Sequence, residues 1–281
     1  MAGRRALCVG INEFEHLPAS SWLNGCVNDA EDFAAFLQKT LDFADSDITV
    51  LSDAQATKAA VIGELESMVA RAERGELDHL VFSYSSHGTQ VPDVNGDEPD
   101  RADEALAAYD IRAAGDAWNP DTVILDDELN QLFGRVPDGV LVEVFLDTCH
   151  SGTGLRAIDL LPGRMPKFLL PPSPAGVDDV NERRSVGLRD LMTERARRGE
   201  EPPVLLAACR ADQTAADAHF DGRANGAFTY FFLKAARADK TASRATLLTQ
   251  VRAALRQGRY DQTVQLEASR QAKAVAVGAR G

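Results

Sequence analysis

Residues 140–154 read VLVEVFLDTCHSGTG, and their reading decides the fold. The run 140–146 is apolar except for Glu143, rich in β-branched residues, and too short for a helix of ordinary length. Such a run, closed by a polar, Gly-containing turn, reads as a strand buried on both faces of a mostly parallel sheet. Cys149 stands just past its end. A second stretch has the same form: LVFSYSSHGTQ, residues 80–90, predicts a strand over 79–84 with His87 just past it. Sites in open parallel sheets are built at the carboxyl ends of strands. If the two strands are neighbours, Cys149 and His87 lie side by side there. A thiolate is the nucleophile in such a pair, and the imidazole takes its proton or holds it as an ion pair. Gly88 lets the backbone approach a substrate closely, so the amides of Gly88 and Cys149 are natural donors to an oxyanion. His150 is adjacent to Cys149 and points elsewhere on an extended backbone.

Outward from these stretches, further strands are predicted over 6–11, 47–51, 204–208 and 263–268. Helices are predicted over 27–40, 58–74, 126–133, 227–238 and 245–257. In the second of these, Val61, Leu65, Met68 and Val69 share one face at helical spacing. The alternation predicts a single α/β domain over 1–281. Two polar stretches interrupt it, 90–123 and 153–203. Both are too long for ordinary connections and are expected to be functional loops or disordered.

The chain has 281 residues and a formal net charge of −13. That balance argues against nucleic acid as a partner, because phosphate binding wants a basic face. No apolar run approaches the roughly 20 residues of a membrane span. The first apolar run, 6–10, is too short for an export signal, so a cytoplasmic location is expected. Cys8, Cys26, Cys149 and Cys209 are scattered singly, without the CxxC pairs of a zinc site.

The segments SYSSHGTQ (83–90) and FLDTCHSG (145–152) resemble the histidine and cysteine boxes of metacaspases, caspase-like peptidases that include bacterial members. Other segments agree in order: ALCVGINEF (6–14), LNGCVNDAEDF (23–33), GDEPDRADEALAAYD (96–110), ILDDEL (124–129), LLAACRADQTAAD (205–217), GAFTYFFLKA (226–235) and QTVQLEAS (262–269). The resemblance implies a caspase-like three-layer α/β fold with a central, mostly parallel six-stranded sheet flanked by helices. It divides the chain into a large-subunit-like part (1–155), a linker (156–202) and a small-subunit-like part (203–281). It implies a cysteine endopeptidase with a Cys149–His87 dyad that cuts protein or peptide substrates after Arg or Lys. The chain departs from the commoner box in having Ser86 where Gly is usual, and a side chain there is expected to narrow the site. Two alternatives are a catalytically silent caspase-like binding module and a protease effector gated by a signal in cell death or phage defence.

By the same resemblance an acidic pocket for the basic side chain is made by Cys26, Asp29, Ser85 and Asp147. A carboxylate pair is independently what an ammonium or guanidinium requires, and Asp147 shares a strand face with Cys149. The resemblance also implies a calcium site at Asp103, Asp126 and Asp127. A further family aspartate is replaced here by Arg156, which would repel the ion, and Asp159 is out of register. Calcium is therefore weighed against a simple solvated acidic loop. The linker holds Arg164, Lys167, Arg183, Arg184, Arg195, Arg197 and Arg198 among its basic residues. Self-cleavage is expected in the run RARRGEE (195–201), near Arg197 or Arg198, with a charged loop or lid as the alternative.

Overall fold

A computed structural model describes residues 2–92, 102–149, 163–173, 187–210 and 213–281. The calls on His150, Arg156, Asp159, Arg183 and Arg184 lie outside the described residues, as does the 96–101 part of the acidic segment 96–110. The strands are β1 (Gly3–Gly10), β2 (Ile48–Ser52), β3 (Leu77–Ser85), β4 (Gly88–Pro92), β5 (Ala102–Ala107), β6 (Ala113–Ala114) and β7 (Ala117–Trp118). They continue with β8 (Val123–Leu125), β9 (Leu141–Asp147), β10 (Met165–Pro166), β11 (Val204–Ala207), β12 (Ala216–Phe220), β13 (Arg223–Gly226) and β14 (Gln265–Glu267). The helices are α1 (Cys26–Leu41), α2 (Lys58–Glu73), α3 (Asp126–Gly134), α4 (Gly187–Arg198), α5 (Ala227–Ala238), α6 (Arg244–Gln257) and α7 (Arg270–Ala274).

Six strands form the central sheet in the order β14-β11-β9-β3-β1-β2, and all pairings are parallel except β11 with β14. Every residue of β9 is buried, Glu143 included, as a two-faced strand requires. Period-two alternation divides the core. Leu7, Val9, Phe82, Tyr84, Val144 and Leu146 face α2 and α3. Ala6, Cys8, Val81 and Phe145 face α1, α5 and α6. The expected architecture is therefore present, and the 227–238 helix has the expected bounds.

Two expectations are corrected. The stretch 90–123 holds β5 to β8, and β4, β5 and β8 make a small antiparallel sheet beside the site. The Ala-rich β5 has little intrinsic strand preference, and its pairing comes from tertiary contact. The stretch 153–203 holds β10 and α4. Its basic run is not wholly exposed: Arg195 is 4% exposed, and its guanidinium donates to the carbonyls of Val136 at 2.7 Å and Glu201 at 3.0 Å. Leu191 of α4 is buried in the core beside α3.

Away from the carboxyl edge, Glu143 is fully buried and holds the chain's last turns. It accepts from Arg244 Nη2 at 2.6 Å and from the Gly278 amide at 3.0 Å, and its Oε2 lies 2.9 Å from His79 Nε2. Removing Arg244 leaves the buried Glu143 charge without its cation, against only the His79 ring and the Gly278 amide. Arg244→Met is expected to cost about 3–5 kcal/mol, and adding Glu143→Leu to recover part of it, measured by urea unfolding. Equal or greater loss in the double variant would refute the pairing.

Candidate active site

β3 and β9 are adjacent and in register at Ser85 and Asp147, so His87 and Cys149 each stand two residues beyond the same sheet edge. His87 is 3% exposed, and its Nε2 donates to the Ser21 carbonyl at 2.8 Å. That bond fixes the tautomer and leaves the Nδ1 lone pair buried without a partner. The Phe14 ring lies against the imidazole, with centroids 5.4 Å apart. Burial pushes the His87 pKa down to about 4, so the ring is neutral at pH 7. The Cys149 thiol takes its hydrogen bonds from another direction. Its Sγ accepts from the Ala215 amide at 2.6 Å and faces the Ala215 carbonyl at 3.6 Å. The thiol and imidazole thus lie at one edge but are not hydrogen-bonded to each other.

Between them runs a segment of the linker that sequence reading left as one basic residue among many. The Lys167 side chain is fully buried. Its ammonium lies 3.3 Å from Asp29 Oδ2 and 3.1 Å from Asp147 Oδ1, and donates to Ser85 Oγ at 2.8 Å and to the Asp147 carbonyl at 3.1 Å. Three of the expected pocket residues therefore meet on one cation. The fourth, Cys26, is fully buried, and burial pushes its thiol well above the ordinary cysteine value. Burial opposes the ammonium as well, but Asp147 chief among its neighbours outweighs that and holds Lys167 well above the usual lysine range. Asp29 moves the other way from a simple ion pair: burial pushes it up to about 6 against the pull of Lys167, and Asp147 adds to the rise. Burial, with Asp147 close by, accounts for the rise of Asp29, and the two carboxylates account for the rise of Lys167, whose ammonium stays charged.

The pocket's far wall comes from β13 and α5. Asp29 accepts from Asn225 Nδ2 at 2.9 Å and from the Gly226 amide at 2.9 Å, and Asp147 Oδ2 accepts from the Thr229 amide at 2.9 Å and Oγ1 at 2.7 Å. A Cβ at Gly226 would stand 2.4 Å from the Lys167 ammonium, so glycine keeps the pocket open. Asn225, Gly226 and Thr229 fall at the 226–235 segment and its approach, where the sequence signalled a helix but no site.

The backbone around Lys167 lies in the cleft as an extended strand. Met165 and Pro166 pair antiparallel with Asp217 and Ala216, and the Lys167 amide donates to the Ala215 carbonyl at 3.0 Å. The Lys167 carbonyl accepts from the Gly88 amide at 3.0 Å and the Cys149 amide at 3.2 Å, the two expected oxyanion donors. Beyond it the Leu169 amide donates to the Gly88 carbonyl at 2.9 Å, and the Leu169 carbonyl accepts from Thr89 Oγ1 at 2.8 Å. A Cβ at Gly88 would stand 1.6 Å from the Cys149 carbonyl oxygen, so no other residue fits that approach. Ser86 does not narrow the cleft: its side chain is buried and donates to the Ala107 carbonyl at 3.0 Å.

Of the expected calcium ligands, Asp103 lies on β5 opposite Val91, and Asp126 and Asp127 open α3. Burial, then Glu104, Asp127 and Asp103, push the Asp126 carboxyl up to about 8. Hard oxygen donors of this kind suit calcium. Among the described residues, however, no three carboxylate, imidazole or thiol groups stand close enough to share one ion.

The His87 shift has a readable sign. The unfolded ring takes up its proton near pH 6.5 and the folded ring near 4, so stability falls as pH drops through that window and is level above it. Between pH 7 and 4 the native chain is expected to lose on the order of 2–3 kcal/mol more than His87→Gln, measured by denaturant unfolding. Parallel pH profiles would refute a buried neutral ring.

Among the described residues no helix is long and apolar enough to cross a membrane. Metacaspase-1 of Cryptococcus neoformans var. neoformans serotype D (strain JEC21) is 31% identical over 95% of this chain, which spans 62% of that protein's length. Metacaspase-1A of Aspergillus niger is 30% identical over 95% of this chain and 70% of its own. The crystal structure of protein GSU0716 from Geobacter sulfurreducens superposes with a TM-score of 0.64 at 25% identity, covering 95% of this chain and 93% of that one. The family description "Metacaspase, peptidase C14 domain" matches residues 4–158, more than half of the chain, and the chain belongs to that family.

Proposed function

We propose that the protein is a cysteine endopeptidase that cuts after Lys or Arg, and that the structure is its latent form, closed by its own Lys167. The single observation that carries this is the placement of one residue at two sites. The Lys167 ammonium lies between Asp29 and Asp147 while its carbonyl receives the Gly88 and Cys149 amides. A substrate's basic residue bound this way offers its carbonyl carbon to Cys149.

The chemistry follows from the groups present. Cys149 sulfur attacks the carbonyl carbon, and the negative charge that develops on oxygen is met by the two amides. His87 Nδ1, with its proton-bearing Nε2 held by Ser21, takes the thiol proton and gives it to the leaving amine. Water then hydrolyses the thioester. In the latent form the sulfur is engaged by Ala215, so it must turn towards the imidazole before attack. The bond in register is Lys167–Phe168, which replaces Arg197 or Arg198 as the proposed site of self-cleavage. Those two arginines sit on α4, and a helix does not offer the extended backbone that a cleft strand requires. Protein substrates with exposed basic segments are the proposed partners.

The test is cleavage of peptides that differ only in the residue before the scissile bond, followed beside the fate of the chain itself. Lys and Arg are expected to exceed Asp by more than about a hundredfold, because an unpaired carboxylate in this pocket costs several kcal/mol. Concentrated wild-type protein is expected to yield a fragment beginning at Phe168, while Cys149→Ala and Lys167→Gln stay whole at that bond. A preference for Asp, or cleavage by Cys149→Ala, would overturn the reading. Absence of any cleavage would favour the silent binding module.

We give calcium no part in these steps, because Asp103, Asp126 and Asp127 do not stand close enough to share one ion. Millimolar calcium is expected to leave the wild-type Tm within about 1 °C, as it leaves an Asp126→Asn, Asp127→Asn double variant. A rise of several degrees in the wild type alone would restore a site at these residues.

A further inference from the structure

The strand that closes the cleft makes a second cationic contact, three residues before Lys167. The Arg164 guanidinium lies over the Tyr260 ring, 3.8 Å from its centroid. Its Nη1 donates to the Arg259 carbonyl at 2.6 Å and its Nη2 to the Gly258 carbonyl at 2.7 Å. We propose that this is a recognition subsite, and that the enzyme selects substrates with arginine at the fourth position before the cut as well as a basic residue at the first. The proposal rests on the reading that Lys167 marks the residue before the scissile bond.

The receiving groups are fixed by the fold and do not depend on the linker. Gly258 caps α6, and its carbonyl and that of Arg259 lie at the helix's carboxyl end, where the macrodipole is negative. Arg259 has a φ of 58°, which turns the chain out of the helix, and the Tyr260 amide returns to the Leu255 carbonyl at 2.9 Å. Phe220 and Phe231 brace the Tyr260 ring, each with centroids 6.0 Å away. A flat ring with two carbonyls at its edge matches a planar, forked cation. An ammonium would reach one carbonyl and lose the stacking, so arginine is preferred to lysine. Along extended backbone, residues three apart leave on opposite faces. The Tyr260 subsite and the Asp29–Asp147 pocket therefore read two separate side chains. The substrate class is thus an extended segment of the form Arg-x-x-Lys or Arg-x-x-Arg.

The experiment measures kcat/KM of the wild-type chain on fluorogenic tetrapeptides. Arg-Met-Pro-Lys is compared with the peptides carrying Lys, Gln or Glu in place of the first Arg, and with Arg-Met-Pro-Ala. A partly desolvated guanidinium–ring contact with two charge-assisted hydrogen bonds predicts that Arg exceeds Gln by about tenfold, chiefly through KM, with Lys between and Glu lowest. Tyr260→Leu is expected to bring the Arg-to-Gln ratio close to one, and Tyr260→Phe, which keeps the ring, to retain it. If the Arg and Gln peptides are cut equally while Arg-Met-Pro-Ala is refused, the second subsite is wrong and the parent reading stands. If Arg-Met-Pro-Ala is cut as well as Arg-Met-Pro-Lys, or no peptide is cut, the parent reading fails and this inference with it. A ratio that survives Tyr260→Leu would place arginine recognition elsewhere.

Discussion

Two carboxylates holding one buried ammonium organise the carboxyl edge of the sheet. Asp29 comes from the first turn of α1, Asp147 from the end of β9, and Lys167 from a segment far along the chain from Asp29. A lone buried carboxylate would take up a proton or expel its neighbour. Here Asn225, Gly226 and Thr229 donate to the oxygens that the ammonium leaves, so β13 and the start of α5 are fastened to the same point. The site is thus built from both halves of the chain, and the parallel pairing of β9 with β11 is what brings them together.

On the proposed reading, the arrangement also accounts for a nucleophile and a base that are present and at rest. His87 is buried, neutral and aimed by a carbonyl, while the thiol is held by the opposite wall. Neither group is damaged or missing. The thiol's bond to Ala215 and the peptide held on the Gly88 and Cys149 amides fall at the same edge, so on the proposed reading one segment governs both access and activation.

Much of this was legible in the sequence, for physical reasons that differ by residue. β3 and β9 are runs buried on both faces, and few other structures bury such runs, so the positions of His87 and Cys149 at one edge followed from pattern. Asp29, Ser85 and Asp147 were reached through the resemblance, and they do converge. Lys167 was not legible, because nothing local distinguishes it in PGRMPKFLLPPSP. Its role arises from a chain closure over 138 residues to Asp29. The helix α4 was hidden by its charge: one buried face carried by Leu191 and Arg195 is a weak periodic signal among so many polar neighbours. Asn225 and Gly226 stand where a turn leads into α5, and local pattern says nothing of what a missing Cβ makes room for.

Phe168 and Leu169 are 5% and 8% exposed and belong to opposite sides of the core, the first packed with the α1, α5 and α6 layer and the second with the α2 and α3 layer. If the bond is cut as proposed, the new end at Phe168 stays anchored across the sheet edge, whereas the end finishing at Lys167 is held by a short strand and polar contacts. Only the second can leave without disturbing packed apolar surface. The mature cleft would then keep, as a fixed piece of its own rim, the far half of the first peptide it bound, and every later substrate would be fitted against that remnant.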